Sequence, residues 1–127
     1  MSARRERLRK LVTVQEQLKA LHEARRAGLL SEAANADTEA RALMERFDDP
    51  DSLSSLFPDL YHRRIADALT RRDVRLESAK VEAGLVAKAT ARTNMVERAY
   101  RDARRQDERQ QSDRERLDII EQKRTAE

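Results

Sequence analysis

The stretch DDPDSLSSLFPDLYHRR, residues 48–64, holds both prolines of the 127-residue chain and, in Phe57 and Tyr61, two of its four aromatics. On either side of it the sequence reads as nearly unbroken helix. Asp48 and Asp49 are suited to capping a helix start, Pro50 suits a first helical position, and DSLSSL is long enough for one short turn. Phe57 is held extended by the proline after it. Pro58 then opens a second helix, with Asp59 at its positive dipole end. The stretch therefore reads as the tip of a helical hairpin.

Working outward, the first helix is expected over about 4–47. Leu11, Val14, Leu18 and Leu21 step 3-4-3, and Leu29, Ala33, Ala36, Ala40, Leu43 and Phe47 step 4-3-4-3-4. Between Leu21 and Leu29 the step is eight, one more than a heptad, beside Gly28. Local unwinding or the drift of a 3.6-residue helix would absorb the extra residue. The second helix is expected over about 58–123. Its apolar positions run through Tyr61, Ile65, Leu69, Leu76, Ala79, Ala83 and Val86, then Ala89, Thr93, Val96, Tyr100 and Ala103.

A reversal at residues 48–58 places residue i opposite roughly 106 − i, which brings apolar residues together along the whole first helix. Phe47 meets Tyr61, Leu43 meets Ile65, Leu29 meets Leu76, Leu21 meets Val86, Leu18 meets Ala89, Leu11 meets Val96 and Leu8 meets Tyr100. Alanines 33, 36 and 40 face the Ala66–Leu69 region and allow close helix approach. The fold class is all-α: a long antiparallel two-helix coiled-coil hairpin, one domain over residues 1–127, with a C-terminal helical overhang.

The overhang follows from length. At 1.5 Å per residue the first helix spans roughly 65 Å and the second roughly 100 Å. RRQDERQQSDRER, residues 104–116, has no aliphatic side chain, and Glu108 lies within reach of Arg104 and Arg105 on the same helix. Apolar character returns in RLDIIEQKR, residues 116–124, where Leu117 and Ile120 present an edge for another protein.

Composition agrees with a single seam. Charged residues form 40% of the chain and aromatics 3%, too little apolar bulk for a layered globular core. The 27 basic and 24 acidic residues alternate, so no face forms a phosphate track and no nucleic-acid partner is expected. No apolar run is long enough to span a membrane. The basic opening residues lead into no apolar signal core, and the chain has no cysteine, so a cytoplasmic location is expected.

Nothing in the residues points to catalysis, a cofactor, a metal or a small-molecule substrate. His22 and His62 lie on different helices and far out of register. By the pairing rule His22 faces Gly84 and fills the space that glycine leaves. The acidic residues are accounted for as solvated helix faces.

The whole architecture, and the ending ERLDIIEQKR in particular, resembles the flagellar export protein FliJ family. Leu117, Asp118, Ile120 and Arg124 fit the family's closing helix, while Ile119 stands where a glutamate is usual. The resemblance implies a non-enzymatic, stalk-like coiled coil of the type III flagellar export apparatus. In that family the paired chain ends enter the ring of the export ATPase hexamer, and the protein also touches the export gate, a membrane protein, and the export chaperones. The family's gate contact lies at the hairpin end, which here carries Leu43, Phe47, Phe57, Tyr61 and Ile65. That implies a cytoplasmic protein held peripherally at the gate. Two other readings are compatible with the residues: a self-associating coiled-coil scaffold, because two helices cover their seam poorly, and a nucleic-acid binder using the arginine-rich ends.

Overall fold

The computed structural model describes residues 2–126. Two α-helices, α1 (Ala3–Asp48) and α2 (Pro58–Ala126), are joined by a loop that holds one 3₁₀ turn at Leu53–Ser55. There is no strand among the described residues. The chain forms two compact units: Lys19–Ala87, which carries the tip, and a second made of the chain ends up to Leu18 and from Lys88.

The loop reverses the chain by side-chain capping. Pro58 and Asp59 open α2 as expected, but Asp48 ends α1, and Asp49 and Pro50 start no helix. Asp49 instead accepts from the Asp51 N–H through Oδ1 at 2.9 Å, a local turn that aspartate forms two residues ahead of itself. Ser52 caps the 3₁₀ turn by accepting from Ser54 N. Ser54, one of the few buried polar residues, donates its hydroxyl to Phe47 O at 2.8 Å. This bond ties the loop to the last turn of α1, whose carbonyls have no helical partner.

Within the tip-bearing unit the helices are antiparallel. Phe47 packs on Tyr61 with ring centroids 6.2 Å apart. Glu39 pairs with Arg71 at 2.8 Å, Asp37 with Arg72 at 2.8 Å, and Glu32 with Arg75 at 2.9 Å. His22 Nδ1 lies 2.7 Å from Glu82 Oε2. In the chain-end unit the Ser2 N–H donates to Asp107 Oδ2 at 3.1 Å. Residue numbers across these pairs add to between 104 and 110, so the fold-back register is the expected one to within about one helical turn.

The seam departs from the expectation in the first half of α1. On α1 the shielded residues that line the seam are Leu8, Val12, Gln15, Lys19 and His22, then Leu29, Ala33, Ala36, Ala40, Leu43 and Phe47, with Arg5, Glu6 and Asp37 partly shielded as well. The seam residues keep one 3- and 4-residue alternation, passing over exposed Arg26. Leu11, Val14, Leu18 and Leu21 stand one residue before the shielded positions, about 100° around the helix, and remain 39–47% exposed. No extra residue has to be absorbed at Gly28, where the α-helix is continuous. On α2 the expected positions hold: from Tyr61 through Leu69, Ala79, Ala83 and Val86 to Ala103 they are shielded, with Leu76 the exposed exception, and Ala68 and Glu82 are shielded beside them.

Alanine explains the phase. Ala40 and Ala68, level with one another in the register, have no exposed surface, and Ala33, Ala36, Ala79, Ala89 and Ala103 are also buried. Small side chains let the helix axes approach closely, which fixes rotation more tightly than half-covered leucines do. Continuing that phase along α1 brings polar side chains into the seam. His22 consequently meets Glu82 rather than filling a gap at Gly84, beside which an added Cβ would meet nothing within 4 Å. In the chain-end unit Arg5 Nε and Gln15 Oε1 are buried with no hydrogen-bond partner among the described residues, an arrangement that costs stability.

Asp37 illustrates the flanking charges. Its hydrogen bond from Arg72, reinforced by Arg41, holds its carboxyl below the ordinary carboxylate range. A depressed carboxyl stabilises the fold above its unfolded pKa, and that contribution fades as pH falls through the folded value. Replacing Asp37 with Asn is therefore expected to lower the melting temperature near neutrality. The gap from the unaltered chain should close below pH of about 4. Circular dichroism melts across pH 3–7 measure it; a gap independent of pH would refute the assignment.

Candidate functional site

A cleft at the hairpin tip and the end of α2 both present apolar side chains to solvent.

The tip cleft forms where the last turn of α1, the loop and the first turns of α2 meet. It encloses about 260 Å³ and is lined by Leu43, Arg46, Leu53, Phe57, Leu60, Tyr61 and Arg64. Leu53 and Phe57 are more than half exposed, and Leu60 nearly so. The loop bonds explain this, because anchoring Ser54 inward leaves the flanking Leu53 and Leu56 facing outward. Arg46 and Arg64 stand at the cleft on opposite helices. Neither side chain makes an ion pair or hydrogen bond among the described residues, whereas the next arginines along α2 toward the chain ends, Arg71, Arg72 and Arg75, are all paired.

Of the five tip residues expected from the sequence, Leu43, Phe57 and Tyr61 line the cleft. Phe47 and Ile65 do not: Ile65 lies a turn further along the seam, half-buried. The Phe47 ring contacts both Tyr61 and His62, the latter at 4.9 Å between centroids and 49° between planes. His62 thus serves as a packing partner for Phe47. Sequence reasoning missed Arg46, Leu53, Leu60 and Arg64. The Leu60–Arg64 spacing of four was the available signal, since it places both on one helix face beside Tyr61.

The division of the aromatics has a measurable consequence. Phe47→Ala is expected to lower the melting temperature clearly, though by less than the ~3–5 kcal/mol of a fully buried phenylalanine. Phe57→Ser, at a 53% exposed side chain, should leave it nearly unchanged. Equal losses in thermal unfolding would show that both rings are structural.

At the other site, α2 continues beyond Asp107 with every described residue exposed. The Ser2–Asp107 bond moves the start of the unsupported segment past residue 104, where the composition alone placed it. That bond holds the Asp107 carboxyl below its usual range. Arg104 pairs with Glu108 at 3.1 Å as expected, while Arg105 turns back to Asp102 at 3.9 Å instead. Each such exposed pair contributes only ~0.3–0.5 kcal/mol.

Leu117, Ile120 and Arg124 share one face of α2 by helical spacing, and Asp118 lies about 100° around from Leu117. Ile119 points nearly opposite Leu117, so the two adjacent isoleucines serve different faces. Leu117 stands fourteen residues, two heptads, beyond buried Ala103. It therefore continues the phase of the seam while being 62% exposed.

Among the described residues no group of three or more His, Asp or Glu side chains is placed to hold a metal ion. No described helix is long and apolar enough to cross a membrane. Compared with known proteins, the chain matches no family model, no curated protein and no solved structure.

Proposed function

We propose that the chain is a non-enzymatic stalk and adaptor of a type III protein export apparatus of the flagellar kind. In this reading the end of α2 engages the export ATPase hexamer and the hairpin tip engages the export gate and chaperones, in the cytoplasm at the gate's inner face. The observation that carries it is the exposed edge of Leu117, Ile120 and Arg124, which prolongs the coiled-coil phase past Asp107, the last described residue shielded from solvent. An edge with the spacing of a seam is suited to docking another helix rather than to binding a small molecule. The resemblance of ERLDIIEQKR to the closing helix of the FliJ family names the kind of ring it would meet. Co-purification of the whole chain with a purified hexameric export ATPase tests the reading, and a chain that never associates with the ring overturns it.

A self-associating scaffold is favoured by a different observation, the exposed stripe of Leu11, Val14 and Leu18 in the chain-end unit. Sedimentation equilibrium separates the two, since a scaffold would dimerise without any ATPase present.

A further inference from the structure

We propose that the tip cleft binds a short protein segment in which one aliphatic or aromatic side chain is flanked by carboxylates. The inference rests on reading the hairpin tip as a contact surface; it is independent of what the end of α2 binds.

Size argues for a discrete anchor. The cleft's roughly 260 Å³ falls just below the range of pockets built for drug-sized ligands. A cavity of about 150 Å³ admits benzene. One leucine or phenylalanine side chain, with part of its backbone, matches this space. The walls are the apolar surfaces of Leu43, Leu53, Phe57 and Leu60, which give such an anchor what it needs.

Charge argues for the flanks. Arg46 on α1 and Arg64 on α2 stand at the cleft with guanidinium groups that no described carboxylate engages. A guanidinium fork binds a carboxylate through two parallel N–H donors, so a pair of them selects acidic residues beside the anchor. The loop's own acids do not occupy this role. Asp49 is turned onto the Asp51 N–H, and none of Asp48, Asp49, Asp51 or Asp59 lines the cleft.

The same four aspartates decide against a lipid surface. A bilayer rich in anionic headgroups would meet their carboxylates around the tip together with Arg46, Arg63 and Arg64, leaving no net basic patch to attract it. A peptide narrow enough to enter the cleft meets the two arginines alone.

The probe is a displayed library of random twelve-residue peptides, selected on the full-length chain. The strongest selected peptide is then synthesised with a fluorescent label for anisotropy titration. The expected result is enrichment of Leu, Ile, Met or Phe next to Asp or Glu, with binding that weakens as salt rises. Arg46→Gln combined with Arg64→Gln should weaken that peptide at least tenfold, while the Lys pair at the same positions binds between the two, because it keeps the charge and loses the paired N–H donors. Leu60→Ser should also weaken it tenfold, with unchanged thermal unfolding of each variant. Leu117→Ser should not alter it, which keeps a failure here distinct from a failure of ring docking. Selection of peptides without acidic residues overturns the proposal. So does equal binding to the Gln pair, absence of any tip-dependent enrichment, or binding of the tip to phosphatidylserine vesicles in place of peptides.

Discussion

Deleting residues 112–127 is expected to leave the melting temperature within about 2 °C of the full chain while reducing association with an export ATPase ring at least thirtyfold. The cut follows from the structure. No described residue beyond Asp107 is shielded from solvent, so the removed segment contributes little burial. Stopping at residue 111 also preserves the Ser2–Asp107 bond and the Arg104–Glu108 pair. It keeps Arg109 in the last turn, where a cation favours the helix end. The binding loss follows from the few anchors that carry most of an interface's energy. Truncating such an anchor costs about 2 kcal/mol or more, which corresponds to a factor of ~30 in affinity. Leu117→Ser with Ile120→Ser should reproduce most of it in the full-length chain, because these two side chains supply the apolar part of the edge. Asp118→Asn should matter less, since that residue lies off the shared face. Circular dichroism melts paired with ring-binding titrations make the measurement. Full binding by the truncated chain would overturn the docking role, and a large drop in its melting temperature would mean that the terminal segment supports the fold.

Enlarging the smallest seam residues should be the most destabilising single change in the molecule. Ala40 and Ala68 are wholly buried and level with one another, so leucine at either position has no space without separating the helices. Overpacking of this kind costs about 1–3 kcal/mol, occasionally more. At roughly 4–8 °C per kcal/mol for a small domain, Ala40→Leu should lower the melting temperature by about 5–20 °C. Leu18→Ser is the informative contrast. Leucine would ordinarily be the costlier residue to lose, but Leu18 is 39% exposed and stands outside the seam, so its replacement should cost far less than the insertion at Ala40. Measuring both at low protein concentration removes any contribution from self-association. The opposite order, with Leu18→Ser the more damaging, would restore the leucine stripe as the seam and refute the alanine-set phase.

The hairpin itself was written locally. Prolines 50 and 58 sit in a chain otherwise nearly free of helix breakers, with charged residues throughout and 3- and 4-residue spacing on both sides. Those features dictate two helices and one reversal, and loop length leaves antiparallel pairing as the simple outcome. The exposed edge at Leu117 and Ile120 was equally legible, because it depends only on where aliphatic residues stop and resume.

Which face of α1 enters the seam was a tertiary decision. Hydrophobicity favoured Leu11, Val14, Leu18 and Leu21, the bulkiest periodic stripe in that half of the helix. The sequence did contain the correcting signal: Leu8, Leu29, Ala36 and Leu43 are separated by multiples of seven, as are Val12, Ala33, Ala40 and Phe47. Choosing between two stripes one residue apart required knowing that buried Ala40 lies level with buried Ala68, a partner 28 residues away in the sequence. Packing at the buried alanines fixes the rotation of α1 within their own unit, so polar Lys19 and His22 follow them into the seam and Leu21 is left outside. The tip cleft was decided in the same way. Arg46 and Arg64 belong to different helices, and only the inward bond from Ser54 to Phe47 O, closing the loop between them, turns Leu53 outward and gives the two arginines a common apolar floor.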